Sequence, residues 1–160
     1  MKSHVRVVVI GGGAMGVSLL YHLAERGWTS AVLVEKHELT AGSTWHAAGL
    51  CTHFAHNATI MAMRAHSVRL YRDVLSAETG LSTGFHPTGA LRVTRLQDRM
   101  DEFHHIQGLG RFVGHDFHIL SPDELKQIYP LCVTDGLIGA MHEPNDGHVD
   151  PSLATNAMAA

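Results

Sequence analysis

The first apolar run, Val5 to Ile10, is broken only by Arg6 and is largely β-branched, the pattern of a strand buried on both faces in a parallel sheet. Gly11-Gly12-Gly13-Ala14-Met15-Gly16 follows without a break. Val17 to Arg26 then predicts a helix with Leu19, Leu20 and Leu23 on one side, and Gly27 is placed to stop it. Ala31 to Glu35 reads as a second buried strand, so the opening is one βαβ unit. Lys36 to Thr52 has no period and is rich in small residues, which predicts an ordered loop. A long helix is expected from Asn57 to Thr79, capped by Asn57 and stopped by Gly80. Its apolar rows, Ile60/Met63/Leu70/Val74 and Met61/Ala65/Val68/Leu75, make a stripe wide enough to pack on a sheet.

The pattern changes at Gly84. A turn at His86-Pro87-Thr88-Gly89 leads into a strand, Ala90 to Thr94, then a helix from Gln97 to Gln107 and a short strand from Phe117 to Leu120. Ser121-Pro122-Asp123-Glu124 is a capping box with proline in the first helical turn, and its helix ends before Pro130. Leu137 to Met141 is another strand. This stretch reads as a mixed α+β insertion. Asp150 and Pro151 then start an apolar helix that stops abruptly at Ala160, which suggests a truncated chain.

Net charge is −3, which gives no electrostatic case for binding nucleic acid or an anionic membrane. No apolar run approaches a membrane span. Cys51 and Cys132 form no disulfide framework, and only four residues precede the first apolar run, so a cytoplasmic protein is expected. A mitochondrial matrix protein without its presequence is the other expectation. The 14 histidines raise the question of a metal. His104 and His105 would diverge on a helix, His115 and His118 lack a third ligand, and Cys51, His53 and His56 have no second half. No metal site is expected. Arg64, Arg69 and Arg72 read as a solvated helix face, and no general base can be assigned.

Gly11, Gly13 and Gly16 fit G-x-G-x-x-G, with a strand before, a helix after and an acid, Glu35, at the end of the next strand. The glycines permit the tight turn, backbone approach to a pyrophosphate and close helix packing, while the helix N-terminus offers N–H donors to the diphosphate. Glu35 is placed to accept from an adenosine ribose, and an acid there argues against a 2′-phosphate. The spacing alone does not separate NAD from FAD. The loop beyond, Leu39 to Leu50, offers close backbone approach at Gly42 and Gly49, hydroxyls at Ser43 and Thr44, and one nucleophilic imidazole at His46.

These stretches resemble a known family. Val9 to Gly13, Glu35-Lys36 and Glu38 to Leu50 look like the dimethylglycine and sarcosine dehydrogenases, within the FAD-dependent amino-acid oxidoreductases. Gly84-Phe85-His86 with Gly89, and Asp146 to Pro151, resemble the same group, and Ser43-Thr44-Trp45-His46-Ala47-Ala48-Gly49 is the most specific string. The resemblance implies an α/β fold: a Rossmann-like FAD-binding domain with an inserted α+β substrate domain, truncated. Residues 1–83 and 143–160 would belong to the FAD domain and 84–142 to the substrate domain. It implies that His46 carries FAD covalently, that Ala14 and Met15 lie at the pyrophosphate, and that Glu35 and Lys36 lie at the adenosine end. Gly42, Ser43, Thr44, Trp45, Ala47, Ala48, Gly49 and Leu50 would run along the rest of the cofactor.

The implied reaction is oxidation of an N-methylated glycine such as dimethylglycine or sarcosine. Hydride passes from the N-methyl carbon to flavin N5, and water or tetrahydrofolate intercepts the iminium. Electron-transfer flavoprotein or oxygen would be the acceptor, and a tetrahydrofolate region would lie in a missing C-terminal part. The alternatives are a non-covalent FAD oxidase of the glycine or sarcosine oxidase type, and a non-catalytic regulatory subunit on the same scaffold. The 160 residues alone are not expected to make a competent enzyme or a stable fold.

Overall fold

The computed structural model describes residues 4–160. In chain order the elements are β1 (Val7–Ile10), α1 (Ala14–Glu25), β2 (Ala31–Val34), β3 (Leu50–Cys51), α2 (Ala58–Arg69), a π-helical turn (Leu70–Val74), α3 (Leu75–Thr79), β4 (Ala90–Thr94), α4 (Gln97–Val113), β5 (His118–Leu120), α5 (Pro122–Ile128), β6 (Gly139–Glu143), β7 (Gly147–His148) and α6 (Pro151–Ala159). They divide into two compact units. The first holds residues up to Leu50, Arg69–Phe85 and His148–Ala160; the second holds Cys51–Val68 and His86–Gly147. The segment Cys51–Val68, expected with the nucleotide-binding part, thus groups with the insertion. None of the helices of the described residues is long and apolar enough to cross a membrane.

In the first unit β1 and β2 pair in parallel, Val7 opposite Ala31 through Ile10 opposite Val34. Val9 and Val17 are buried where α1 packs on the strands. The helix ends in a Schellman motif: Gly27 N–H donates to Ala24 O at 2.9 Å and Trp28 N–H to Leu23 O at 2.8 Å. Val17 belongs to a core with Leu70, Leu75, Ala157 and Met158. The expectation of strands buried on both faces is not met. Val8, Val32, Val34 and Ile10 are exposed, Ile10 by 86%. The helical layer of this unit covers the Val9 face alone, so alternate residues point away from it.

The long helix is continuous but not uniform. Asn57 caps it, its Oδ1 accepting from Ile60 N–H at 2.9 Å, and Gly80 ends it in the left-handed conformation. Ile60 and Met63, read as part of the packing stripe, are exposed, while Met61, Val68, Leu70 and Leu75 are buried. The π-helical turn accounts for the last two. Leu75 N–H donates to Leu70 O, an i to i+5 bond that brings residues five apart onto one side. A plain α-helix would place them roughly 140° apart at 3.6 residues per turn.

In the second unit β6 is the central strand of a three-stranded antiparallel sheet ordered β4-β6-β5. Thr94 faces Gly139 and Ala90 faces Glu143 across the β4–β6 pair. β6 begins at Gly139 rather than Leu137, because Leu137 N–H closes a turn on Thr134 O at 3.0 Å. Helix α4 runs to Val113, six residues past its expected end at Gln107. Gly108 and Gly110 do not break it. A Cβ at Gly110 would lie 2.4 Å from Phe117 Cδ2, so this glycine makes room for a buried ring. Phe117 joins Met61, Phe103, Ile106 and Met141 in the core of the unit.

The other two sequence-predicted caps also form. In α5, Ser121 Oγ accepts from Glu124 N–H, and Ser121 N–H donates back to Glu124 Oε2 at 2.7 Å. In α6, Asp150 Oδ1 accepts from Ser152 N–H at 2.8 Å and Leu153 N–H at 2.9 Å. Asp150→Ala should cost about 1 kcal/mol. Urea unfolding should show a lower midpoint at an unchanged slope; an unchanged midpoint would mean that water replaces the cap without loss.

Candidate cofactor site

The β1–α1 turn is built by close approach. A Cβ on Gly16 would stand 2.0 Å from Gly11 O and 3.4 Å from Val9 Cγ1, so only glycine lets the first turn of α1 lie on the end of β1. The N-cap of α1 is Gly13, with no side-chain cap and no acidic residue in the first turn. The positive end of the helix dipole is therefore left for an anion, and none of the helix's own side chains competes for it.

Glu35 leaves the end of β2 and turns back to this loop. Its Oε2 accepts from Gly12 N–H at 2.7 Å and its Oε1 from His37 N–H at 2.9 Å. These bonds, Gly12 first and His37 second, hold the carboxyl below the usual carboxylate range. Each oxygen keeps a further lone pair for a ribose hydroxyl. Lys36 is exposed beside it.

The loop from Leu39 to Gly49 is tied to the same turn. Thr40 N–H donates to Gly12 O at 3.0 Å. Ala14 N–H donates to Thr44 Oγ1 at 3.0 Å, so one of the amides expected at the pyrophosphate is used within the chain. Thr40 is buried with a positive φ of 68°, and Ser152 Oγ bonds its hydroxyl at 3.2 Å. Gly49 has φ 69°, and a Cβ there would meet Val149 O at 2.1 Å; around Gly42 the space is open. The anchored loop presents Ser43, Trp45, His46, Ala47 and Ala48 as exposed residues, and Met15 of α1 and Leu50 of β3 are exposed as well. The Trp45 and His46 rings meet edge to face at 4.9 Å. Thus the glycines, Glu35, Thr40 and Thr44 converge by direct contact, while His46 stands clear with its imidazole accessible.

The chain matches the family model described as FAD dependent oxidoreductase over residues 6–160. The chain belongs to this family. It is 40% identical over 158 residues to dimethylglycine dehydrogenase of Rattus norvegicus, covering 99% of this chain and 18% of that protein. It is likewise 40% identical to human sarcosine dehydrogenase, covering 99% of this chain and 17% of that one. Among solved structures, L-proline dehydrogenase from P. horikoshii superposes with a TM-score of 0.88 at 30% identity, over 99% of this chain and 41% of that one. The chain therefore spans about a fifth of the length of these curated relatives.

An FAD-dependent oxidoreductase needs a diphosphate cradle, and the residues present fit one: a glycine-lined turn, a helix start with glycine at the N-cap and no acid in its first turn, and an acid at the next strand end.

Other polar groups come together in the second unit. Arg64 donates to Phe54 O; Arg72, in the first unit, is paired with Asp73 at 2.9 Å. Arg92, which the sequence did not single out, stacks over the Phe54 ring at 3.7 Å. It lines a cleft of about 430 Å³ with His56, Leu91, Arg99 and Glu102. Burial lowers the pKa of its guanidinium. His53 and Asp146 are buried together, Nδ1 to Oδ1 at 2.6 Å. No spacing rule links residues 93 positions apart.

Gly16→Ala should purify with little bound flavin, because the added methyl displaces α1 from Gly11; overpacking of this kind costs about 1–3 kcal/mol. The flavin-to-protein absorbance ratio checks it, and an unchanged ratio would mean that α1 moves freely. Glu35 has a depressed folded-state pKa, so its contribution is present above the unfolded value and is lost as pH falls through the folded one. Amide-exchange protection of Gly12 should therefore persist below about pH 4, the ordinary carboxylate range. Loss of protection already at that pH would show the contact to be weak.

Proposed function

We propose that this chain is the FAD-anchoring part of an amine oxidoreductase acting on an N-methylated glycine, with FAD held covalently at His46. The observation that carries the reading is the position of His46. It lies on a loop pinned to the diphosphate cradle through Thr40 and Thr44, and its imidazole remains exposed. Neutral imidazole is a competent nucleophile near pH 7. The names of the relatives at 40% identity, dimethylglycine and sarcosine dehydrogenase, supply the substrate class.

In this reading the α1 N-terminus, with Gly11, Gly13 and Met15, holds the diphosphate. Glu35, with Lys36 beside it, takes the adenosine end, and Gly42 to Leu50 follow the rest of the cofactor. Bound FAD supplies the hydride acceptor, and this chain supplies its orientation. The acceptor that reoxidises it is electron-transfer flavoprotein or oxygen, and tetrahydrofolate belongs to regions beyond this chain.

Denaturing the full-length holoprotein should leave flavin fluorescence on the polypeptide, and proteolytic mapping should place it on the peptide containing His46. His46→Ala should release its flavin on denaturation and show a lower flavin potential. Free flavin from the wild type would instead favour a non-covalent oxidase. Anaerobic dimethylglycine or sarcosine should bleach the flavin band; a holoprotein that neither substrate bleaches would move the reading to a non-catalytic subunit.

A further inference from the structure

The second unit buries an unusual set of groups. His53 lies in the loop before α2, His115 just past the end of α4, and Glu143 at the end of β6. One ligand atom from each lies within 4.8 Å of the other two. His53 and Glu143 are 4% and 2% exposed, and His115 is half-buried. The two imidazole rings are 4.2 Å apart, tilted by 39°.

Each group has one ligand atom to spare. Asp146 Oδ1 accepts from both His53 N–H at 2.7 Å and His53 Nδ1 at 2.6 Å. A carboxylate only accepts, so Nδ1 carries the proton and Nε2 keeps its lone pair. Glu143 Oε1 accepts from Asn145 N–H at 2.9 Å and Asn145 Nδ2 at 3.1 Å. Its Oε2 is buried with no hydrogen-bond partner among the described residues. A buried carboxylate oxygen without a partner is costly unless a cation or a proton meets it.

We propose that His53, His115 and Glu143 bind a divalent transition-metal ion, Zn²⁺ by donor set, with Asp146 orienting His53 from behind. Two imidazoles and one carboxylate are a recognised zinc donor set with a fourth position left for water. A carboxylate on the far nitrogen of a ligating histidine fixes the tautomer and raises its basicity. Bonds of 2.0–2.1 Å in a tetrahedron put ligand atoms about 3.3 Å apart. The three side chains must therefore close by roughly 1.5 Å at most, within the reach of small χ rotations. The site is independent of the flavin reading, since no residue of the flavin cradle takes part.

The test uses full-length holoprotein stripped with a chelator and titrated with Zn²⁺ alone by calorimetry. One ion per chain should bind, and X-ray absorption at the zinc edge should report two imidazoles and one carboxylate oxygen. Glu143→Gln and His115→Ala should each weaken binding at least tenfold, and Asp146→Asn by about 10–100-fold. His104→Ala, in the exposed pair on α4, should leave the affinity unchanged. Flavin content, measured on every sample, should not move with zinc, which keeps this result separate from the flavin assignment. Wild-type protein that binds no stoichiometric zinc, or whose binding survives Glu143→Gln and His115→Ala, overturns the proposal. Should a variant fail to fold, the wild-type stoichiometry and zinc-edge spectrum decide.

Discussion

The first unit depends on one close approach, Gly16 of α1 against the carbonyl of Gly11. With any side chain at position 16 the helix would lift from the strand end, since a Cβ there would stand 2.0 Å from that oxygen. Several features follow from the contact. The N-cap residue Gly13 has no side chain to cap the helix start; of its donors, Ala14 N–H is taken by Thr44 Oγ1. Gly12 is held where its N–H reaches Glu35 and its carbonyl reaches Thr40. Thr40 and Thr44 then fix the loop that carries His46. The candidate diphosphate cradle and the candidate covalent attachment point thus share the hydrogen-bonding groups of one turn.

The second unit is organised around burial of polar groups. A three-stranded sheet packed by α4 gives an apolar core of Met61, Phe103, Ile106, Phe117 and Met141. His53, Asp146 and Glu143 are buried in the same unit and must be satisfied within it. His53 and Asp146 satisfy each other, while Glu143 is half satisfied by Asn145. That imbalance separates the cluster from an ordinary polar core, in which each buried group has its partners.

Helix continuity was harder to read than helix position. The helix expected to end at Gln107 runs on to Val113 through Gly108 and Gly110, and Phe117 fills the space a side chain at position 110 would take. The packing phase of the long helix was misread for a comparable reason. Its apolar rows put Ile60 and Met63 in the stripe, yet both are exposed while Met61 and Val68 are buried, and the π-helical turn at Leu70–Val74 brings Leu70 and Leu75 to one side. Tertiary packing selected both features. Neither has a local signature as strong as a cap or a glycine motif.

What the amino-acid order determined by itself is what depends on neighbours in the chain. The βαβ opening, the glycine turn with Glu35 at the next strand end, the Asn57 and Asp150 caps and the Ser121–Glu124 box all rest on contacts set by backbone geometry within a few residues or one βαβ repeat. What only the tertiary structure decided depends on register and layering between distant segments. The exposed face of β1 and β2 follows from where the helical layer lies, which strand hydropathy does not specify. The meeting of His53, His115 and Glu143 requires sheet order β4-β6-β5, the end of α4 and the loop before α2 to be placed together. A one-residue slip in β6 would turn Glu143 to the other face, so no spacing along the chain could have announced the cluster.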